Sequence, residues 1–361
     1  MNPTDNISSS HGEDNISSLT NLGHPTQTME KIFYTVSPII WFTTALVGPL
    51  GLIGNVLNLI VYIRLGFSET IHICCAAMAI SDIGCILTAI WFGMTCFSPI
   101  VQSLLAQYRI QTDLCLFAGF TGGWWHGAFS RTTALLTAWI SIERCLCVIC
   151  PIRVKLLITP KVTKMLVLII YIAGLSPLAF VYVFLRFGTT FDPVSNYTTL
   201  FSHYHVKNDL NVLNAVSFLL YGAIYPITSW IIVSICTAVL IAKLKQSSTW
   251  REAITQSNLG SNSNGKRNLV SKERRVTKTV VMIACIFIMC SLPISAALVV
   301  SLFEREYSMT GSYRAIYLLN TGISLILSEL NSSINIIVYA VAWSRFRATL
   351  LKIFLQKCCK K

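Results

Sequence analysis

The chain has 361 residues, 54% hydrophobic and only 12% charged, where a water-soluble domain carries about 25% charged residues. That excludes an ordinary globular fold and points to a membrane protein. A net charge of +13 suggests nucleic acid as a partner, but the bases sort by loop rather than into one binding face, so no nucleic-acid role is expected.

Residues 1–36 are polar and rich in Ser, Thr and Asn, with no apolar core of signal-peptide length. They read as an extracellular tail, with glycosylation triplets at Asn6 and Asn15. Seven apolar stretches follow, at about 37–63, 73–97, 114–143, 164–187, 212–242, 274–303 and 313–341. Each meets the roughly 20 residues needed to cross a hydrocarbon core. The expected fold is all-α: one membrane domain over 37–342, a bundle of seven helices, then an amphipathic helix and tail over 343–361.

Alternating the loops puts six Lys and Arg on the side of the N-terminus, twenty-one on the other and one, Arg131, inside a span. The basic side is the cytoplasm, so the N-terminus lies outside a multi-pass plasma-membrane protein, and the basic face attracts anionic membrane lipid. A third glycosylation triplet, at Asn196, falls on the outer side. The loop over 246–271 is polar, Gly-, Ser- and Asn-rich, and reads as mobile. After span seven, Trp343, Phe346, Leu350, Phe354 and Leu355 recur near helical spacing between bases, as in a helix lying on the inner leaflet. Cys358 and Cys359 follow where palmitoylation is common. Of thirteen Cys, only Cys96 and Cys115 sit near the outer face, where oxidation is possible; they are expected to pair.

Polar residues inside the oil are costly and usually face the bundle interior. Asp82 lies roughly 16 Å deep, level with Asn55 and Asn335. It is either a carboxyl gluing helices through amides or the seat of a sodium ion or proton. Arg144 ends span three. Glu273 lies twenty residues before Pro293 in span six, about 30 Å along a helix, so it reaches the same inner surface. Arg144 can pair with Glu143 or with Glu273 as a switchable element, or the helix simply ends with snorkelling charges.

Taken together, these residues resemble the rhodopsin-like (class A) G-protein-coupled receptors over about residues 37 to 357. The resemblance is carried by Gly54-Asn55, Asp82, Glu143-Arg144-Cys145, Pro226, Phe287 with Cys290-x-x-Pro293, Asn335 and Tyr339, and Phe346. It implies that agonist binding swings the inner end of span six outward, releases Arg144 and opens a cleft for a heterotrimeric G protein, with arrestin a further partner. It also implies a sodium pocket of Asp82, Thr133, Asn331, Ser332 and Asn335. The sequence departs from the family at Ser291 (usually Trp), Ile336 (usually Pro) and Ser234 (commonly Tyr), and its span four lacks the usual Trp. No Cys occurs in 188–211, so the family's bridge from span three to that loop cannot form. The stretch GGWWHGAFSRTTALLTAWISIERCLCVICPIRVK is similar to invertebrate orphan and chemosensory-type receptors.

An opsin needs a span-seven Lys for retinal, and 313–341 has none. Amine receptors hold the ammonium with a span-three Asp; His126 stands there. A neuropeptide is the leading ligand, with a small-molecule chemosensory receptor as the alternative and a transporter using the intramembrane charges behind it. Arg131 lies roughly 20 Å above Arg144 and Glu329 roughly 24 Å above Arg345. They are expected to pair, as a structural salt bridge or as the floor of an outward ligand cavity beneath His126, Trp124, Trp125 and Trp91. No cofactor other than that sodium ion, no metal cluster and no catalytic set is expected.

Overall fold

The computed structural model describes residues 25–204, 211–257 and 264–358. Seven helices among the described residues are long and apolar enough to cross a membrane. Span one is α1 (Pro25–Leu65) and span two is α2 (Thr70–Cys96). A short helix, α3 (Pro99–Gln107), and strand β1 (Ile110–Gln111) lead to span three, built of α4 (Leu114–Ala118), a π-helical turn at Gly119–Gly123 and α5 (Trp124–Ile149). After α6 (Pro151–Leu157), span four is α7 (Pro160–Phe184). Strands β2 (Leu185–Asp192) and β3 (Tyr197–Tyr204) follow. Span five is α8 (Asn211–Leu219), a π turn at Leu220–Ile224 and α9 (Tyr225–Ser257). Spans six and seven are α10 (Asn264–Phe303) and α11 (Arg314–Ala342), and α12 (Ser344–Cys358) closes the chain.

Three boundaries differ from the sequence reading. Helix α1 begins at Pro25, a residue suited to a first helical turn, so part of the supposed tail is helix. At about 62 Å for 41 residues it far exceeds a hydrocarbon core of about 30 Å, and its first turns carry the charges Glu30 and Lys31. Span three runs to Ile149 because Cys145–Ile149 contains no breaker; Pro151 stops it. Glu143 and Arg144 therefore lie more than a turn inside the helix, not at its end. Most of the 246–271 loop extends α9 and α10; 258–263 lie outside the described residues.

The helices meet through small residues, as membrane packing favours. A Cβ on Gly51 of α1 would lie 1.9 Å from the Ser333 hydroxyl of α11, so only Gly allows that approach. The π turn of span three is GFTGG, whose three glycines tolerate irregular backbone. Under spans one, two and seven, Tyr62, Tyr339, Trp343 and Phe346 form an aromatic cluster with ring centroids 5.5–6.3 Å apart. It seats α12 against the bundle through Phe346, which is fully buried.

At the end of the bundle where α1 begins, β2 and β3 pair antiparallel, and β1 pairs parallel with β3, giving the order β1-β3-β2. Thr198 N–H donates to Arg109 O at 3.0 Å. This backbone pairing ties the loop after span four to the loop before span three, where the family's covalent bridge is missing. Asn196 stands exposed in the turn between the strands with φ +56°, a conformation Asn tolerates.

Candidate functional site

The polar residues of spans two, three and seven form an inner, a middle and an outer layer. In the inner layer, buried Glu143 accepts hydrogen bonds from the Thr70 hydroxyl and from Arg144 Nη2 on the same oxygen. Cys74 Sγ lies 3.8 Å from its other oxygen. Arg144 is 15% exposed and Glu143 1%. Arg144 thus takes the neighbouring acid. Glu273 falls on α10, its side chain outside the described residues. Beside this pair Glu69 bridges His72 and Arg345, at 3.9 Å and 3.6 Å, linking span two to α12.

In the middle layer, Asp82 is fully buried and accepts three side-chain bonds from two other helices. Thr133 Oγ1 (3.0 Å) and Ser332 Oγ (3.1 Å) donate to Oδ1, and Asn335 Nδ2 (2.9 Å) donates to Oδ2. Asn55 sits one step away, donating to the Ser332 carbonyl at 2.9 Å. Asn331 makes no hydrogen bond to Asp82 among the described residues; it lines a small, mostly apolar cavity of about 30 Å³ that also carries the hydroxyls of Ser130, Thr133, Ser328 and Ser332, room for a water or two. Phe287 of span six closes one wall of that cavity and packs into a buried cluster with Ala134, Ala138, Val233 and Ala284. One turn further, the Trp230 indole of span five donates to Ser291 Oγ at 2.7 Å. Span five therefore supplies an indole to the position where span six lacks one, half a turn before Pro293.

The expected Arg131–Glu329 pair does not form. Arg131 Nε donates to the Tyr221 carbonyl at 2.8 Å, within the π turn of span five, where the irregular backbone leaves a carbonyl available. Glu329 points the other way, toward span one: its Oε1 lies 3.3 Å from where a Cβ on Gly48 would be. Both of its oxygens are buried without a hydrogen-bond donor among the described residues. Equal depth did not mean the same azimuth, since each residue turns a helix by about 100°.

Nor do the aromatic residues roof one cavity. Trp124 packs on Phe218 and Tyr221. Trp125 stacks on Phe129 and is 39% exposed. Trp91, 48% exposed, donates to Thr121 at 2.9 Å. His126 Nδ1 lies 3.1 Å from the Cys85 carbonyl. Apart from the Trp125–Phe129 stack, which lies within α5, these contacts join helix to helix.

The large cavity lies in the outer layer, which sequence reasoning missed. It measures about 1060 Å³ and is walled by the first turns of α1, the start of span three and the start of span seven. Cys96 and Cys115 are disulfide-bonded at its side, their Cα atoms 4.2 Å apart. Asp113 caps α4 by accepting from Leu116 N–H at 3.0 Å. It also holds the Arg314 guanidinium in a two-pronged pair at 2.6 and 2.7 Å. Burial pushes the Asp113 carboxyl up, but the Arg314 bonds, the Leu116 N–H and the Arg314 charge outweigh it and hold it below the usual carboxylate value. Nearby, Glu306 accepts from both the backbone and the hydroxyl of Ser312, at 2.8 and 2.7 Å, which lowers its pKa. The one sequence signal was Asp113 itself, an acid two residues before an outer Cys.

Comparison with known proteins agrees with this layered bundle. A rhodopsin from Mizuhopecten yessoensis described as GQ-coupled is 26% identical over 331 residues, covering 89% of this chain and 61% of its own length. The chain thus spans about three-fifths of the curated relative it matches. The family model for the 7 transmembrane receptor (rhodopsin family) matches residues 54–339, from the Gly54-Asn55 of span one to the Tyr339 of span seven. The chain belongs to the rhodopsin family of seven-transmembrane receptors.

Proposed function

We propose that this protein is a plasma-membrane receptor, N-terminus outside, that binds an extracellular neuropeptide and activates a heterotrimeric G protein. The observation that carries the ligand class is the outer cavity of about 1060 Å³. It stands at the top of the 300–1,000 Å³ range of small-molecule pockets, with room for a peptide segment, and two of its walls are the starts of the spans that bear the inner polar residues. Ligand binding there biases spans three and seven. Outward movement of the inner half of α10, around Pro293 and Phe287, then opens a cleft beside Arg144 for the G protein.

Retinal is disfavoured as the ligand, although the relative is called a rhodopsin: α11 contains no Lys to form a Schiff base. The relative's description makes a Gq-class protein the first partner to test, with arrestin on the same inner face. The Asp82 cluster offers the all-oxygen donors that a hard cation takes. Asp82, Thr133 and Ser332 would hold a sodium ion, and sodium-dependent agonist affinity lost in Asp82→Asn tests that. Asn196, exposed in its turn, suits glycosylation; Asn6, Asn15 and Cys359 lie outside the described residues, and Cys358 ends α12.

The main test expresses the receptor with a promiscuous G protein and screens neuropeptides alongside small water-borne molecules. A peptide response that Arg144→Ala abolishes, at unchanged surface expression, supports the reading. A response to small molecules alone transfers the assignment to chemosensation. Ligand-independent uptake or current sinks the receptor reading, as does an N-terminal epitope reachable only after permeabilisation.

A further inference from the structure

The outer cavity has a charge and surface character that narrow its ligand, given the receptor reading above. Four charged side chains line it: Glu30, Asp113, Glu306 and Arg314. Arg314 is spent on Asp113, with both prongs of its fork at hydrogen-bond distance, and those two charges cancel. The remaining pair is Glu30 and Glu306. Glu30 is exposed on α1 and accepts no hydrogen bond from a described residue. Glu306 receives both Ser312 donors on one oxygen, Oε2, and stands exposed beside the cavity. Among the described residues the lining therefore carries a net charge of −2, from one carboxylate on α1 and one in the loop before span seven.

An anionic ligand meets the wrong sign here. The charge of Arg314 is already balanced by Asp113, which also caps α4, so its remaining N–H groups offer an anion little net attraction. A cation meets the two remaining carboxylates instead. The same walls present ring faces: Tyr34 is 69% exposed and Tyr313 46%, while Phe33 sits edge-on to Tyr34 at 5.5 Å. Exposed rings beside unpaired carboxylates attract a cationic group electrostatically and an apolar or aromatic neighbour by burial.

We propose that the cavity between α1, the start of span three and the start of span seven binds a cationic, aromatic-containing peptide segment. Its basic side chain or free amino group sits between Glu30 and Glu306, and its ring lies on Tyr34 and Tyr313. The Asp113–Arg314 pair stays closed beneath it and carries the ligand's load to spans three and seven.

The test uses the full-length receptor in lipid nanodiscs and three capped dipeptides: acetyl-Arg-Tyr-amide, acetyl-Gln-Tyr-amide and acetyl-Glu-Tyr-amide. Binding is followed by saturation-transfer NMR. The expected order is cationic, neutral, anionic. The cationic probe binds roughly tenfold tighter than the neutral one, the size of attraction by two carboxylates in a wet site, and the preference shrinks at high salt. Glu30→Gln or Glu306→Gln reduces it several-fold, and the double variant removes it. Both residues are exposed, and equal unfolding midpoints verify that the variants fold. Equal binding of all three probes, a preference that survives the double variant, or no binding in the millimolar range overturns the proposal. Ligand-evoked G-protein output that persists alongside any of these leaves the receptor reading standing. Its absence in a broad screen would count against the receptor reading and not against the charge preference.

Discussion

Substituting Arg144 by Met keeps most of the side-chain packing and removes the charge. Glu143 is 1% exposed and would be left with the Thr70 hydroxyl and the Cys74 thiol, neither of which neutralises it. Breaking a buried pair by removing one partner costs about 3–5 kcal/mol, because the other charge is stranded. Glu143→Gln is gentler: Thr70 can still donate to the amide oxygen, and Arg144, 15% exposed, can turn toward water at the inner rim. A cost of about 1.5–3 kcal/mol follows, the size of one charged hydrogen bond. The double variant strands no charge. It should therefore be more stable than Arg144→Met alone, with a coupling energy of about 2–3 kcal/mol. Thermal unfolding of the four proteins in nanodiscs measures this, with surface expression as a second readout. If Glu143→Gln destabilises the Arg144→Met protein further, or the two effects add within about 0.5 kcal/mol, then Arg144 does not neutralise Glu143 and the inner layer is not a coupled unit.

Three further outcomes follow from the other layers. Asp113→Asn should lower the unfolding midpoint by about 1 kcal/mol equivalent, a half-exposed pair being discounted for solvent screening. Since folding depresses the Asp113 pKa, its contribution is full above the unfolded value near 3.9 and is lost as pH falls through the folded value. The gap between wild type and variant should thus close in acid, and a gap that widens there refutes the pairing. Glu329→Met replaces two buried oxygens that have no donor among the described residues. It should raise stability by about 1–3 kcal/mol, whereas a fall would mean the carboxyl has a partner. Gly51→Ala places a Cβ 1.9 Å from the Ser333 hydroxyl and should cost about 1–3 kcal/mol as an overpacked seam. Adding Ser333→Ala should recover part of that loss in the same unfolding assay.

The spans were legible because hydropathy over 20 residues is a strong and nearly local signal. Asp82, Asn335 and Ser332 were legible because family spacing fixes them on facing helices. What failed needed an angle rather than a depth. Arg131 and Glu329 sit at matching heights, yet one faces span five and the other span one, and a residue count reports only the rise. The Arg131 acceptor is a backbone carbonyl in a π turn, a class of partner no side-chain pattern announces. The outer hairpin, by contrast, left a trace that went unread: LRFGTTFD and YTTLFSHY are aromatic- and Thr-rich runs around the turn Pro-Val-Ser-Asn, a strand-turn-strand signature. The outer cavity left almost none, because its walls are first turns of helices brought together only by the bundle.

Spans three and seven carry their polar groups at matched intervals. From Asp113 to Thr133 is about 30 Å along span three, and from Arg314 to Ser332 about 27 Å along span seven. Both intervals begin at one ion pair and end on one carboxylate, since Thr133 and Ser332 share Asp82 Oδ1. Two helices pinned at both ends of so long a stretch cannot slide past each other without breaking a charged bond. Each hydrogen bond to the buried Asp82 carboxylate contributes about 1.5–3 kcal/mol, and the half-exposed Asp113–Arg314 pair about 1 kcal/mol. Rotation about the pins is cheaper, because Asn335 holds the second oxygen of Asp82 from one turn lower and limits the swing without forbidding it. Held together at both ends, spans three and seven are expected to move as a pair; Arg144 on span three and Tyr339 on span seven lie beyond Asp82 from the Asp113–Arg314 pair.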